Sequence, residues 1–286
     1  MSLSLSLLIC LIAADPLPSP YAGNVDQAIV ELGHKEPWVR WHAAYALGQA
    51  GPKADRAVEP LTKVLQNKGE DEYVRGTAAW ALARIAPQAD PKLLALLAEL
   101  LSSKHISVRR NAATALGQMG PRGKEAVEKL EALRDDADPI VRVAAAEALW
   151  KIDPRPERLA PLLKHLEEAG PGAFCAATAL GDSAAADEKI DRALVAAFSH
   201  ADDDVRRAAS DAVVRRGEAH PPSAELIALL ATSTEDQDPR VRRTSLLVLG
   251  RLGGKVKAAA PAVVKAANDP DPAVRQTAAW AMGKVE

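Results

Sequence analysis

The sequence predicts an all-α fold, a right-handed α–α superhelix (α-solenoid) of about eight helix-hairpin repeats. A Val-Arg pair recurs at Val39-Arg40, Val74-Arg75, Val108-Arg109, Val141-Arg142, Val205-Arg206, Val241-Arg242 and Val274-Arg275. The valines are 35, 34, 33, 64, 36 and 33 residues apart, and a fixed period of this size is the signature of stacked hairpins. Aromatic residues are only 3% of the chain while Ala and Leu are abundant, which suits closely packed helices better than a bulky globular core. No stretch alternates strictly in β-branched and aromatic residues, so strand signals are weak.

Each repeat begins with a helix, A, whose buried face reads directly from offsets to the Val. Offset +4 is Ala43, Ala78, Ala112, Ala145, Ala176, Ala209, Ser245 and Ala278. Offset +7 is Ala in seven repeats and Val248 in the other, and offset +8 is Leu47, Leu82, Leu116, Leu149, Leu180, Val213, Leu249 and Met282. Offsets 0, 4, 7 and 8 share one face of a helix. The interval of 64 residues holds two repeats, the hidden one marked by Ala176-Ala177-Thr178-Ala179-Leu180-Gly181, with Gly172 and Ala173 in place of Val-Arg.

The ends of helix A have their own signals. Three residues before the Val stand Glu36, Asp71, Asp138, Asp202, Asp238 and Asp271, with Pro following at Pro37, Pro139, Pro239 and Pro272. An acid at the N-cap accepts from backbone N–H groups that lack a helical partner, and Pro at the first helical position loses no bond there. Glycine at offset +9, in Gly48, Gly117, Gly181, Gly250 and Gly283, is expected to end the helix. A second helix, B, follows at Val58–Leu65, Leu93–Leu101, Val127–Leu133, Leu159–Leu166, Ile190–Phe198 and Leu226–Ala231, several with Pro in the first turn (Pro60, Pro161, Pro261). Each hairpin has an apolar stripe it cannot bury alone, so stacking supplies most of the stability.

The pattern Asp-Pro-x-Val-Arg-x-x-Ala-Ala-x-Ala-Leu-Gly, followed by Ala-Val-x-Pro-Leu-x-x-Leu-Leu, resembles HEAT repeats. The resemblance is to the short class also found in phycobilisome-lyase-like proteins, and it covers residues 24–286. It implies a scaffold or adaptor that binds a protein or peptide along a concave surface lined by the B helices. Polar residues on those helices, Lys63, Lys129, Lys164 and Lys265, are then contact candidates, and the acids Glu59, Glu99, Glu128, Glu131 and Glu167 share the same helices. Two alternatives stay open: a phycobilin-lyase-like enzyme that handles a chromophore, or a regulatory segment of a larger exported assembly.

Irregularities modify the array. The fifth repeat, at Ala169-Gly170-Pro171-Gly172-Ala173, lacks both the acidic cap and Val-Arg, which makes it a weakened repeat, a hinge or a partner-contact site. Val25 to Leu32 reads as an unpaired B helix, and the eighth repeat shows helix A alone, so Trp280 and Met282 lie near an uncapped end. Residues 1–22 read as a signal peptide and Pro-rich leader: Leu3 to Ala14 is apolar, Ile12-Ala13-Ala14 offers a cleavage site, and Asp15-Pro16-Leu17-Pro18-Ser19-Pro20 follows. Residues 23–286 form the solenoid, expected to be periplasmic or secreted once cleaved near Ala14, and cytoplasmic if the segment is not an export signal. The apolar run is too short to span a bilayer, which takes ~20 residues.

Composition narrows the function classes. The net charge is -2 with 26% charged residues, and a nucleic-acid binder normally shows a basic excess; interspersed signs suit a protein partner. The cysteines, Cys10 and Cys175, form no metal-binding pair, and Cys175 reads as a small buried residue. None of the six histidines is followed by Glu or makes a His-x3-His pair, so the metal-binding dipeptides of HEAT-like di-iron hydroxylases are missing. No phosphate loop or nucleophile elbow is present; Gly253-Gly254-Lys255 reads as the A–B turn of the seventh repeat. No cofactor or catalytic residue is assigned, and the oligomeric state is left open. The recurrent Arg reads as one side of a structural ladder whose other side is the acidic cap of the same or the next repeat. Tyr45, Trp80 and Trp280 share offset +6 and read as packing between repeats. Trp38 and Trp41, near the start of their helix, are candidate binding residues, because accessible aromatics are enriched at binding hot spots.

Overall fold

A computed structural model describes residues 24–86, 91–183 and 187–285, and within them the secondary structure is helical with no strand. The signal-peptide reading, Cys10 and part of the Gly181 to Asp187 connection lie outside the described residues. A lone helix α1 (Val25–Glu31) precedes eight A helices: α2 (Pro37–Ala50), α4 (Glu72–Ile85), α6 (Ile106–Gln118), α8 (Pro139–Ile152), α10 (Pro171–Gly181), α12 (Asp203–Ala219), α14 (Pro239–Leu252) and α16 (Pro272–Val285). The B helices between them are α3 (Val58–Gln66), α5 (Pro91–Leu100), α7 (Val127–Ala132), α9 (Pro156–Glu167), α11 (Glu188–Ala196), α13 (Ala224–Ser233) and α15 (Ala260–Ala266). No described helix is long and apolar enough to cross a membrane.

The chain divides into two compact units between Leu162 and Leu163, inside α9 and just ahead of the irregular fifth repeat. In the first unit α2, α4, α6 and α8 pack successively, and in the second α10, α12, α14 and α16 do the same. The offsets 0, +4, +7 and +8 make these contacts. Val108, Ala112, Ala115 and Leu116 are all fully buried, as are Val274, Ala278 and Ala281. A buried Leu such as Leu116 contributes about 1.5–3 kcal/mol, and the alanines beside it let the helix axes approach.

Helix starts follow the acidic caps at five of the six expected positions. Asp71, Asp138, Asp202, Asp238 and Asp271 each accept from backbone N–H groups of the first turn, at 2.8–3.3 Å. Glu36 is the exception: it stands at the N-cap of α2 but makes no cap bond, and its backbone N–H donates to His34 Nδ1 instead (3.1 Å).

Of the offset +9 glycines only Gly181 ends its helix, as the last residue of α10; the other four lie inside theirs. Gly48 lies two residues inside the end of α2 and Gly250 two inside the end of α14. They are sockets. A Cβ on Gly117 would stand 2.8 Å from the Ala148 Cα, and one on Gly250 would stand 2.2 Å from the Trp280 ring. The missing side chain lets the next A helix sit against the backbone. In α2 and α14 the stop is a glycine three positions later: Gly51 and Gly253 have φ +58° and ψ -138°, a region open in practice only to glycine. From there the chain enters short 3-10 segments, Gly51–Ala57 and Gly253–Ala259, that lead into α3 and α15.

Candidate interaction surface

The recurrent Arg is a structural element. Arg40, Arg109, Arg206, Arg242 and Arg275 each donate through Nη1 to a backbone carbonyl six residues earlier, closing the loop before their own helix. Arg109 and Arg242 also reach forward to the next repeat, gripping Asp136 and Asp269 with two bonds each at 2.7–3.0 Å; Arg40 grips Glu70 in the same way. The acid is not the N-cap residue but one just before it, Glu70 before Asp71, Asp136 before Asp138 and Asp269 before Asp271. Asp136 and Asp269 also accept from the backbone N–H of the cap residue (2.9 and 2.8 Å). These pairs are nearly enclosed, with Asp269 7% and Arg242 12% exposed, so salt and water screen them less than a solvated pair. The Arg242 guanidinium, aided by the Asp271 N–H, holds the Asp269 carboxyl below the usual carboxylate range against the opposing effect of burial.

The predicted tryptophans differ in role. Trp38 is 62% exposed at the first turn of α2. Trp41 is half-buried and starts a stack: its ring lies 5.8 Å from Tyr45, Tyr45 lies 5.4 Å from Trp80 of the next repeat, and Arg84 caps Trp80 at 5.1 Å. The offset +6 aromatics are thus packing between repeats, as expected. Trp38 and Trp41 meet only through His42, at 6.1 and 4.6 Å between ring centroids. Partial burial keeps the His42 imidazole below its usual pKa.

The predicted lysines stand on four separate helices, α3, α7, α9 and α15. Lys63 pairs with Glu59 on its own helix (2.8 Å), and Lys265 pairs with Glu235 just beyond α13 (2.6 Å). Lys129 donates to the Ala98 carbonyl near the end of α5 (3.1 Å), and Lys164 is exposed. Other polar groups serve packing. Arg216, buried at the end of α12, donates to Asp191 (2.7 Å) and to the Ser183 carbonyl (3.0 Å). His165 and His200 both bond Glu168, one at its carboxylate and one at its carbonyl. Cys175 is half-buried in α10 rather than enclosed. Among the described residues no three His, Cys, Asp or Glu side chains converge as metal ligands.

A family model described as HEAT repeats matches residues 25–105, 58–150, 93–180 and 223–286, most of the chain. The chain belongs to the HEAT-repeat family. Its A–B hairpins are therefore HEAT hairpins and its fold an α-solenoid. No curated protein matches the sequence. Among solved structures, the Escherichia coli protein YibA is similar with 18% identity and a TM-score of 0.50, covering all of this chain and 98% of its own. Kap95 in its complex with Nup1 is similar with 15% identity and a TM-score of 0.54, over 91% of this chain and 40% of Kap95. Human deoxyhypusine hydroxylase, 18% identical over 98% of each chain, has a TM-score of 0.39. At these identities the likeness is one of fold.

Proposed function

We propose that this HEAT array is a scaffold that binds a protein or peptide partner along the exposed faces of its B helices. The observation that carries this is the unequal use of the two helix rows. In the second repeat α4 buries nine of its fourteen residues, whereas α3 of the first buries three of nine. Stacking encloses a larger share of the A helices, through their alanine faces and glycine sockets, than of the B helices. That surface carries both signs of charge, as in Glu59 beside Lys63 and Glu128 beside Lys129, which suits a protein better than a phosphate backbone. Kap95, similar in fold, is a HEAT-type precedent: its solved complexes hold Nup1 and RanGDP.

Lys63, Lys129, Lys164 and Lys265, together with Trp38, are the proposed contacts. Trp41 contributes by holding the helix on which Trp38 stands. The test is crosslinking from photoreactive residues placed at these positions in the cells that make the protein, read by mass spectrometry. One recurrent partner captured from several B-helix positions supports the reading. Crosslinks that scatter over unrelated proteins, or come equally from exposed A-helix controls such as Gln49, refute it.

A further inference from the structure

The B helices are not equally polar. In α3 and α7 the solvent side carries Glu59 and Lys63, or Glu128 and Lys129. In α5 the only charged residues are Lys92 and Glu99, and Leu94, Ala95, Leu96 and Ala98 all keep some exposure. Beside this apolar wall, between α5 and α7, lies a cleft of about 230 Å³. Leu116 of α6, itself fully buried, forms its floor, and Leu94, Ala95 and Ala98 form one side. The rim on the α7 side carries Arg122, Glu125 and Lys129, two cations against one anion. Lys129 spans the end of the cleft through its bond to the Ala98 carbonyl.

We infer that this cleft is the specificity pocket of the scaffold and takes an apolar side chain, of Leu or Phe size, next to a carboxylate on an acidic peptide. This rests on the reading of the array as a peptide-binding scaffold and names where and what it binds in the first unit. The volume holds one large side chain and is too small for most organic ligands, whose sites run to ~300–1,000 Å³. Burying an apolar group on Leu116 and Leu94 supplies non-directional affinity. The net positive rim supplies the preference for an acidic neighbour, through the encounter and through the rejection of basic sequences.

The test is selection of a phage-displayed random dodecapeptide library on the full chain, followed by fluorescence anisotropy with the enriched peptides. The expected result is enrichment of sequences with Leu, Ile or Phe beside Asp or Glu. Their binding should weaken at least tenfold in Ala95→Trp, whose ring fills the cleft from an exposed position, and in Lys129→Glu. Replacing the peptide's acid by Lys should restore binding to Lys129→Glu. Thermal melts of both variants matching the parent would show that folding is intact; if Ala95→Trp melts lower, Ala95→Gln replaces it. Enriched peptides that are basic, or that bind Ala95→Trp as well as the parent, overturn the cleft while leaving the scaffold reading standing. No enrichment of any sequence counts against the scaffold reading itself as well as the cleft.

Discussion

Replacing glycine by alanine at two equivalent positions, Gly117 and Gly283, should change stability in opposite directions. Both sit at offset +9 of an A helix, and neither has a positive φ. Alanine in place of glycine inside a helix gains about 0.5–1 kcal/mol from reduced unfolded-state freedom and better propensity. That gain is shared in kind, so comparing the two sites largely cancels it. What differs is the space. A Cβ on Gly117 meets the Ala148 Cα at 2.8 Å and the Ala148 Cβ at 3.1 Å, whereas one on Gly283 meets nothing within 4 Å. Carbon atoms are comfortable at about 3.5–4.0 Å, so α8 must shift by roughly 1 Å, and backbone cannot yield as a flexible side chain does. Overpacking of this kind costs about 1–3 kcal/mol. The net expectation is Gly283→Ala stabilised by a few tenths to ~1 kcal/mol and Gly117→Ala destabilised by ~1–2 kcal/mol. Urea unfolding followed by far-UV circular dichroism measures both, with the shift in midpoint as the readout. If the two variants move together, or Gly283→Ala is destabilised as a left-handed helix cap would be, the socket argument is wrong.

Three further outcomes are expected. Arg242→Met, which leaves the nearly buried Asp269 carboxylate without its guanidinium, should lose about 1.5–3 kcal/mol in a denaturant melt. Because the folded-state pKa of Asp269 is depressed, the pair's contribution is present above the ordinary Asp value near 4 and fades as pH falls through the lower folded value. The gap between parent and Arg242→Met should therefore narrow in melts run from pH 6 down to pH 2.5, and a gap independent of pH would contradict the assignment. Trp41→Ala, which breaks the stack to Tyr45, should cost ~2–3 kcal/mol, whereas Trp38→Ala should stay within ~0.5 kcal/mol and lower partner affinity instead; equal melting shifts for the two would overturn the separation of their roles. Export predicts that the mature protein begins at Asp15, checked by N-terminal sequencing of protein recovered from outside the cytoplasm, and a chain that retains Met1 there refutes it.

The repeat itself was legible because stacking imposes the same demands every thirty-odd residues. The alanines at offsets +4 and +7, the Asp caps and the Pro at the first helical position are local or nearest-neighbour requirements, and each leaves a fixed residue type at a fixed spacing. The aromatic contact between Tyr45 and Trp80 was readable for the same reason, since equal offsets in adjacent repeats face each other. The glycines show the limit of this. Offset +9 reads as a helix stop in one dimension, because glycine commonly ends helices. Only the packed neighbours, Ala148 against Gly117 and Trp280 against Gly250, reveal that its missing side chain is needed by the next helix.

The ladder and the cleft have the same lesson at longer range. A ladder of Arg and acid was expected, but with the cap acid, and the structure pairs Arg109, Arg242 and Arg40 with the acid just before it. Which acid each Arg reaches, Asp136 rather than Asp138 and Asp269 rather than Asp271, depends on how the incoming loop is folded: the cap residue's carboxylate is already occupied by the first turn of its own helix. The candidate contacts were chosen by helix and charge alone, so the array of lysines was visible but not that Lys63 and Lys265 are already paired while Lys129 borders a cleft.

What the sequence determined by itself was the architecture: helical hairpins of a fixed period, their buried faces and most of their starts, because those follow from interactions within a hairpin or between identical neighbours. What only the tertiary structure decided was which residues remain free to meet a partner. Exposure is the difference between a helix's surface and what its neighbours cover, and that remainder is fixed by packing distances of an ångström or less.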